Sequence, residues 1–236
     1  MKYLLGLLLT AALCAAQTST QAATKAAGHW SGKILIPDHE VAVTVDLDRD
    51  AQGVWIGSIT VAGSSSVDVP LSAVAVESGA VRFTAPLPGP ASFTGKLSDD
   101  GAAISGTASN AQGDAPFQLA RSGSASVKVP PASSKLSSEF EGSWSGSIEG
   151  AGKTRRIGLK LSAGSDGNAT AKLVAIDQGN LEIPVSTVTI NKNDLQLEVR
   201  ALSGLYHGTL SADGVIAGEW AQGNEKYSLT FKKGAY

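Results

Sequence analysis

The chain has 236 residues, of which 17% are charged, and a formal net charge of −2. A balance this close to neutral excludes the basic surface that nucleic-acid binding needs. Its one cysteine, Cys14, lies in the leader. The rest of the chain is therefore expected to hold no disulfide, thiolate nucleophile or cysteine-ligated metal, and burial alone must stabilise the fold.

The chain opens MKYLLGLLLTAALCAAQ. Lys2 supplies a positive n-region, Leu4 to Leu13 an apolar h-region too short for a bilayer span, and small residues follow with cleavage expected after Ala16 or Ala22. Residues 1–22 are thus read as signal peptide and leader, and Thr18 to Ala27 as a loose lead-in. Leu13 stands where a lipid-anchor site on Cys14 would need a small residue. No later run approaches the ~20 apolar residues of a membrane helix. These features point to a periplasmic or secreted protein.

Next comes GHWSG at Gly28 to Gly32, with a near-copy, GSWSG, at Gly142 to Gly146. Sliding one onto the other carries Leu47 onto Leu161, Gly53 onto Gly167, and Pro70, Ser72 and Val74 onto Pro184, Ser186 and Val188. After a small offset change, Phe93, Gly95, Leu97 and Gly101 meet Tyr206, Gly208, Leu210 and Gly214. So long a register implies two copies of one unit, at 28–120 and 142–234. The Ser- and Pro-rich stretch between them, 121–141, reads as a flexible linker.

Within each copy the hydrophobic period is two. Val41, Val43, Val45 and Leu47 alternate with Ala42, Thr44, Asp46 and Asp48, and Ile157, Leu159 and Leu161 repeat the pattern. Such alternation specifies half-buried antiparallel strands with a polar outer face. Val81, Phe83 and Ala85 form a later strand matched by Leu195, Leu197 and Val199, and Phe117 with Leu119 is matched by Leu229 with Phe231. Asp50 to Gly53, Asp100-Gly101, Asp166-Gly167 and Asp213-Gly214 supply hairpin turns. In the middle of each copy the apolar parity flips, from Val67, Val69 and Leu71 to Val74 and Val76, and from Leu181, Ile183 and Val185 to Val188 and Ile190. A β-bulge at Ser72-Ala73 and Ser186-Thr187, or a sharp corner, restores the inward face.

The expected fold is therefore all-β: two tandem small antiparallel up-and-down barrels, lipocalin-like, of about seven or eight short strands each, with β-sandwiches as the rival architecture. Trp30 and Trp144, at the first strand of each copy, are expected to plug one end of a mostly filled interior.

The second copy resembles a small all-β module found ahead of α/β-hydrolase or β-lactamase-like domains in bacterial exported enzymes. The resemblance rests on Trp144 and Gly146, on IDQGNLEIPV at Ile176 to Val185, and on YHGTLSADGVIAGEWAQG at Tyr206 to Gly223. It implies an accessory domain without the enzyme that follows it elsewhere. The first copy departs from the pattern: Gly63-Ser64-Ser65 replaces the DQG turn, and Ala108 replaces Trp220. The opening G-x-W also resembles lipocalin and avidin barrels over a short stretch.

The search for chemistry is negative. No G-x-S-x-G elbow, S-x-x-K or H-x-x-x-H pair occurs. His39 reads as part of a solvated turn and His207 as exposed. Asp46, Asp48 and Asp50 lack the glycine and glutamate of a calcium loop and are read as solvent-facing, and Arg155-Arg156 as surface charge. No cofactor and no metal site is expected. Asp177, Gln178, Trp220 and Gln222 form the candidate recognition patch, provided that their two loops meet at one barrel mouth. The functional expectation is a non-catalytic interaction module for a protein or envelope component, with a carrier of a small apolar ligand as the alternative.

Overall fold

A computed structural model describes residues 25–150 and 153–236. The proposed signal peptide, its cleavage sites and Cys14 lie outside the described residues. The chain divides into two compact units, one built on each of two nine-stranded antiparallel sheets.

In the first sheet, β1 (Gly28–Ile36), β2 (His39–Arg49) and β3 (Trp55–Val61) form a meander. β4 (Val69–Pro70) and β5 (Ser72–Glu77) follow, then β6 (Ala80–Ala85), β7 (Ala91–Leu97), β8 (Ala103–Asn110) and β9 (Gly113–Gly123). Neighbours in sequence pair throughout, except that β4 pairs only with β3 and β5 only with β6, and the last strand β9 pairs back onto β1. The second sheet repeats this order with β10 (Gly142–Gly150), β11 (Lys153–Ala163), β12 (Ala169–Ala175), β13 (Leu181–Pro184), β14 (Thr187–Asn191), β15 (Asp194–Val199), β16 (Gly204–Leu210), β17 (Val215–Gln222) and β18 (Glu225–Lys233). There β18 pairs with β10. Because first and last strands of each meander are partners, each sheet curls on itself as a barrel, and the sandwich alternative falls away.

Each barrel thus has nine strand segments, not seven or eight: the fourth strand is broken at its proline, and its halves serve opposite neighbours. This is the predicted parity flip. In the first barrel the register shifts between Ser72 and Ala75, with Ala73 at φ 50°, so a bulge accompanies the break. In the second, β14 pairs with β15 without a shift, so the corner alone suffices. Across the break one backbone bond links the next residues back to the third strand: the Leu71 amide donates to the Gly57 carbonyl at 2.9 Å, and the Val185 amide to that of Ala171 at 3.1 Å. The inward parity begins later than the alternation implied, since Val67 is 46% exposed while Val69 is buried.

Trp30 and Trp144 are fully buried, as the plug reading requires. Each indole Nε1 donates to a carbonyl four residues upstream, Ala26 at 3.1 Å and Phe140 at 2.9 Å. A cation from the last strand covers each ring: the Arg121 guanidinium lies 4.3 Å and the Lys233 ammonium 5.3 Å from the ring centre. Such stacking adds ~0.5–1 kcal/mol, more when desolvated. Each repeat therefore starts before its W-S-G motif, at Ala26 and Phe140, both buried. Arg121 also donates to the carbonyls of Gly101, Ala27 and Lys25. Residues 25–27 are consequently held in place, and Arg121 belongs to the first barrel, not to the linker.

The second half of the 121–141 stretch is also part of a barrel. The Ser134 amide donates to the Val188 carbonyl at 2.8 Å, and the Ala169 amide donates to the Ser134 carbonyl at 2.7 Å. Ser133 Oγ accepts from the Val188 amide and Ser134 Oγ from the Ile190 amide, both at 3.0 Å. This segment satisfies the edge of β14 that the corner leaves without a strand partner, a group that would otherwise be costly to bury.

A glycine pair recurs inside both barrels. Gly95 faces Gly106, and Gly208 faces Gly218. A Cβ at Gly106 would lie 2.1 Å from the Thr94 carbonyl oxygen, and one at Gly218 2.2 Å from that of His207. The space over the pair is taken by an aromatic side chain, Phe117 in the first barrel and Tyr206 in the second.

Candidate functional site

The two barrels differ in how they fill. In the first, Phe83 stacks on Phe93 with ring centres 4.7 Å apart, and Phe117 meets Phe93 edge-on at 5.3 Å. The corresponding second-barrel positions are Leu197, Tyr206 and Leu229. Tyr206 is fully buried, its hydroxyl 3.1 Å from the Leu229 carbonyl and 3.3 Å from that of Ile216, and burial raises its pKa. Exchanging Phe117 for Leu229 removes a ring toward the mouth. A cavity of about 330 Å³ lies there, so the expectation of a mostly filled interior is corrected for this barrel.

The cavity opens at the end away from Trp144, four residues further along β10 at Ile148. Its apolar wall comprises Ile148, Ile157, Leu173, Ile183, Leu202 and Leu229, together with Trp220. Its polar groups are Arg155, Gln178, Gln222 and Tyr227. An up-and-down meander brings alternate connections to one end. The β17–β18 turn, the Ile176–Gln178 turn after β12 and the Arg200–Leu202 turn after β15 therefore converge here.

The DQG stretch resolves into three tasks. Ile176–Gln178 is one 3₁₀ turn, ended by Gly179 at φ 71°, a left-handed conformation glycine adopts without penalty. Asp177 turns outward: its carboxylate accepts from the Arg156 amide at 2.8 Å and from the Arg156 guanidinium at 2.8 and 2.7 Å. The Arg156 amide first, then its guanidinium, hold the Asp177 carboxyl below its ordinary value of 3.8. Gln178 is left on the cavity lining. Three of the four candidate residues, Gln178, Trp220 and Gln222, thus meet at one mouth, while Asp177 anchors the turn that carries the first.

Gln222 is committed on both sides. Its Nε2 donates to the Leu202 carbonyl at 2.8 Å, and its Oε1 lies 3.4 Å from Trp220 Nε1. Trp220 is buried against Gly204, where a Cβ would come 2.1 Å from the ring atom Cζ2. The first barrel has Ala91 and Ala108 at these two positions, so the large ring and the missing side chain are a matched exchange.

Arg155, read from sequence as surface charge, stands on the cavity lining, and Tyr227 and Leu202 were not singled out from sequence. Arg155 shares the parity of Ile157, Leu159 and Leu161, and this signal could have placed it on the inner face. Its counterpart in the first barrel is Val41. Elsewhere the aspartate reading needs one correction: Asp46 is buried, not solvent-facing. It lies 3.0 Å from His29 Nδ1 and accepts from the Ser126 amide at 2.8 Å. Among the described residues no group of three or more His, Cys, Asp or Glu side chains is arranged to hold a metal ion.

The sequence matches no protein-family model and no curated protein. Among solved structures it is similar to a protein of unknown function of the DUF3598 family from Nostoc punctiforme, at 11% identity and TM-score 0.30, covering 89% of this chain and 96% of that one. It is also similar to a candidate outer membrane protein from Bacteroides fragilis, at 10% identity and TM-score 0.29, covering 89% of this chain and 97% of that one.

Proposed function

We propose that this chain is an exported, non-catalytic binding protein whose second barrel takes a small ligand with an apolar body into its mouth. The observation that carries this reading is the cavity of about 330 Å³. Small-molecule sites run from ~300 to 1,000 Å³, mostly apolar with a few placed polar groups. The polar side chains here are two amides, a phenol and a guanidinium, which recognise by hydrogen bonding. The interaction module first expected from the duplication becomes a carrier in its second barrel.

Charged side chains sit along the barrel exterior, as in the Lys172–Glu182 and Lys226–Glu219 pairs. Charge of this kind suits water and is costly against lipid. Native mass spectrometry of the full chain, purified without detergent and titrated with 1-decanol and decanoate, tests the reading. Stoichiometric extra mass, lost on Leu173→Arg, supports it. Failure of both compounds to bind, alongside purely apo protein, refutes it.

A further inference from the structure

Resting on that reading, we infer that the ligand of the second barrel is an amphipathic anion, its acidic head group held by Arg155. Arg155 stands at an inward-parity position of β11 where the sister barrel carries an aliphatic residue, Val41. It lines the cavity rim. Its side chain makes no hydrogen bond or ion pair with any described residue, whereas its neighbour Arg156 is saturated by Asp177. No carboxylate lies among the cavity-lining residues, so the guanidinium has no internal counter-ion at the mouth.

Two of the carboxylates nearby are paired, while Glu149, Lys153 and Glu225 stand at the strand ends outside the cavity lining. Asp177 is neutralised by Arg156 and Glu198 pairs with Arg200. Arg155 is therefore the one charged side chain in the cavity lining, above an apolar well. A guanidinium presents a planar fork of donors that fits a carboxylate, sulfonate or phosphate. Gln178 and Tyr227 flank it with further hydrogen-bonding groups. A ligand with an alkyl or aromatic body and one terminal anionic group matches both halves of the site. A neutral apolar molecule would fill the well and leave the guanidinium unused.

The test compares decanoate with 1-decanol by isothermal titration of the full chain, for the wild type and for Arg155→Gln and Arg155→Lys. Decanoate is expected to bind about threefold to tenfold more tightly than the alcohol, an exposed but desolvating charge contact being worth that much. Arg155→Gln should weaken decanoate binding about threefold to tenfold more than decanol binding and so abolish the preference, and Arg155→Lys should restore part of it. Raising salt from about 0.05 to 1 M should weaken only decanoate, through screening. Equal binding of acid and alcohol, or a preference that survives Arg155→Gln, overturns the anion assignment and leaves the cavity reading standing. Binding of neither compound overturns both.

Discussion

Gly204 and Trp220 form a pair whose coupling can be calculated and measured. In Gly204→Ala the new methyl carbon would begin 2.1 Å from Trp220 Cζ2 and 2.3 Å from Cη2, against an ordinary contact of ~3.5–4 Å. The indole must move by more than an ångström, which breaks its alignment with Gln222 Oε1 and pushes it into the cavity. Overpacking of this kind costs ~1–3 kcal/mol. The lower backbone entropy of alanine in the unfolded chain returns ~0.4–1 kcal/mol, for a net loss of about 1–2 kcal/mol. Trp220→Ala alone should cost about 3 kcal/mol, the low end for a buried aromatic because one face already borders a cavity. In the double variant the alanine methyl occupies space the ring has vacated, reproducing the Ala91 and Ala108 of the first barrel. Its destabilisation should fall short of the summed single losses by about 1–2 kcal/mol. Urea unfolding followed by far-UV circular dichroism gives all three values. Simple additivity would refute the claim that ring and glycine are a matched exchange.

Other consequences follow from the same geometry. Because the Asp177 pKa is lowered in the folded state, its stabilisation is complete at neutral pH and is lost as pH falls below the ordinary value of 3.8 and through the depressed one. The urea-midpoint gap between wild type and Asp177→Asn should therefore be constant from about pH 7 to 5 and close under about pH 4. Trp144→Phe keeps most of the plug but leaves the Phe140 carbonyl without its indole donor, for a loss of about 1–3 kcal/mol by the same unfolding assay. Arg121→Met removes the cation over Trp30 and three carbonyl contacts. It should cost about 2 kcal/mol and speed protease cleavage at residues 25–27, read by mass spectrometry.

Much of this architecture was legible in the residues. Period-two alternation and Asp-Gly turns announce strand content and meander order, because pleat and turn geometry are local properties of the backbone. The parity flip at Pro70 and Pro184 announced a break in the fourth strand. It could not say whether a bulge or a corner would make it, since that depends on which neighbour each half pairs with. The 121–141 stretch misled for a related reason: Ser133 and Ser134 look like linker residues until the unpaired edge of β14 is beside them. Arg121 looked like the start of that linker until the ring it covers was in place.

The candidate site divides in the same way. Gln178, Trp220 and Gln222 stood out as unusual residues next to turns, and alternating connections of a meander must share an end. Arg155 shares the parity of Ile157 and Leu159, which its reading as surface charge passed over. That a cavity exists there was decided by packing between residues far apart in the chain, Leu229 standing where the first barrel has Phe117 and Trp220 packing against Gly204. The interior volume left over is a small difference between large side-chain volumes summed around a closed barrel. No local pattern encodes that difference, and only the closed sheet determines it.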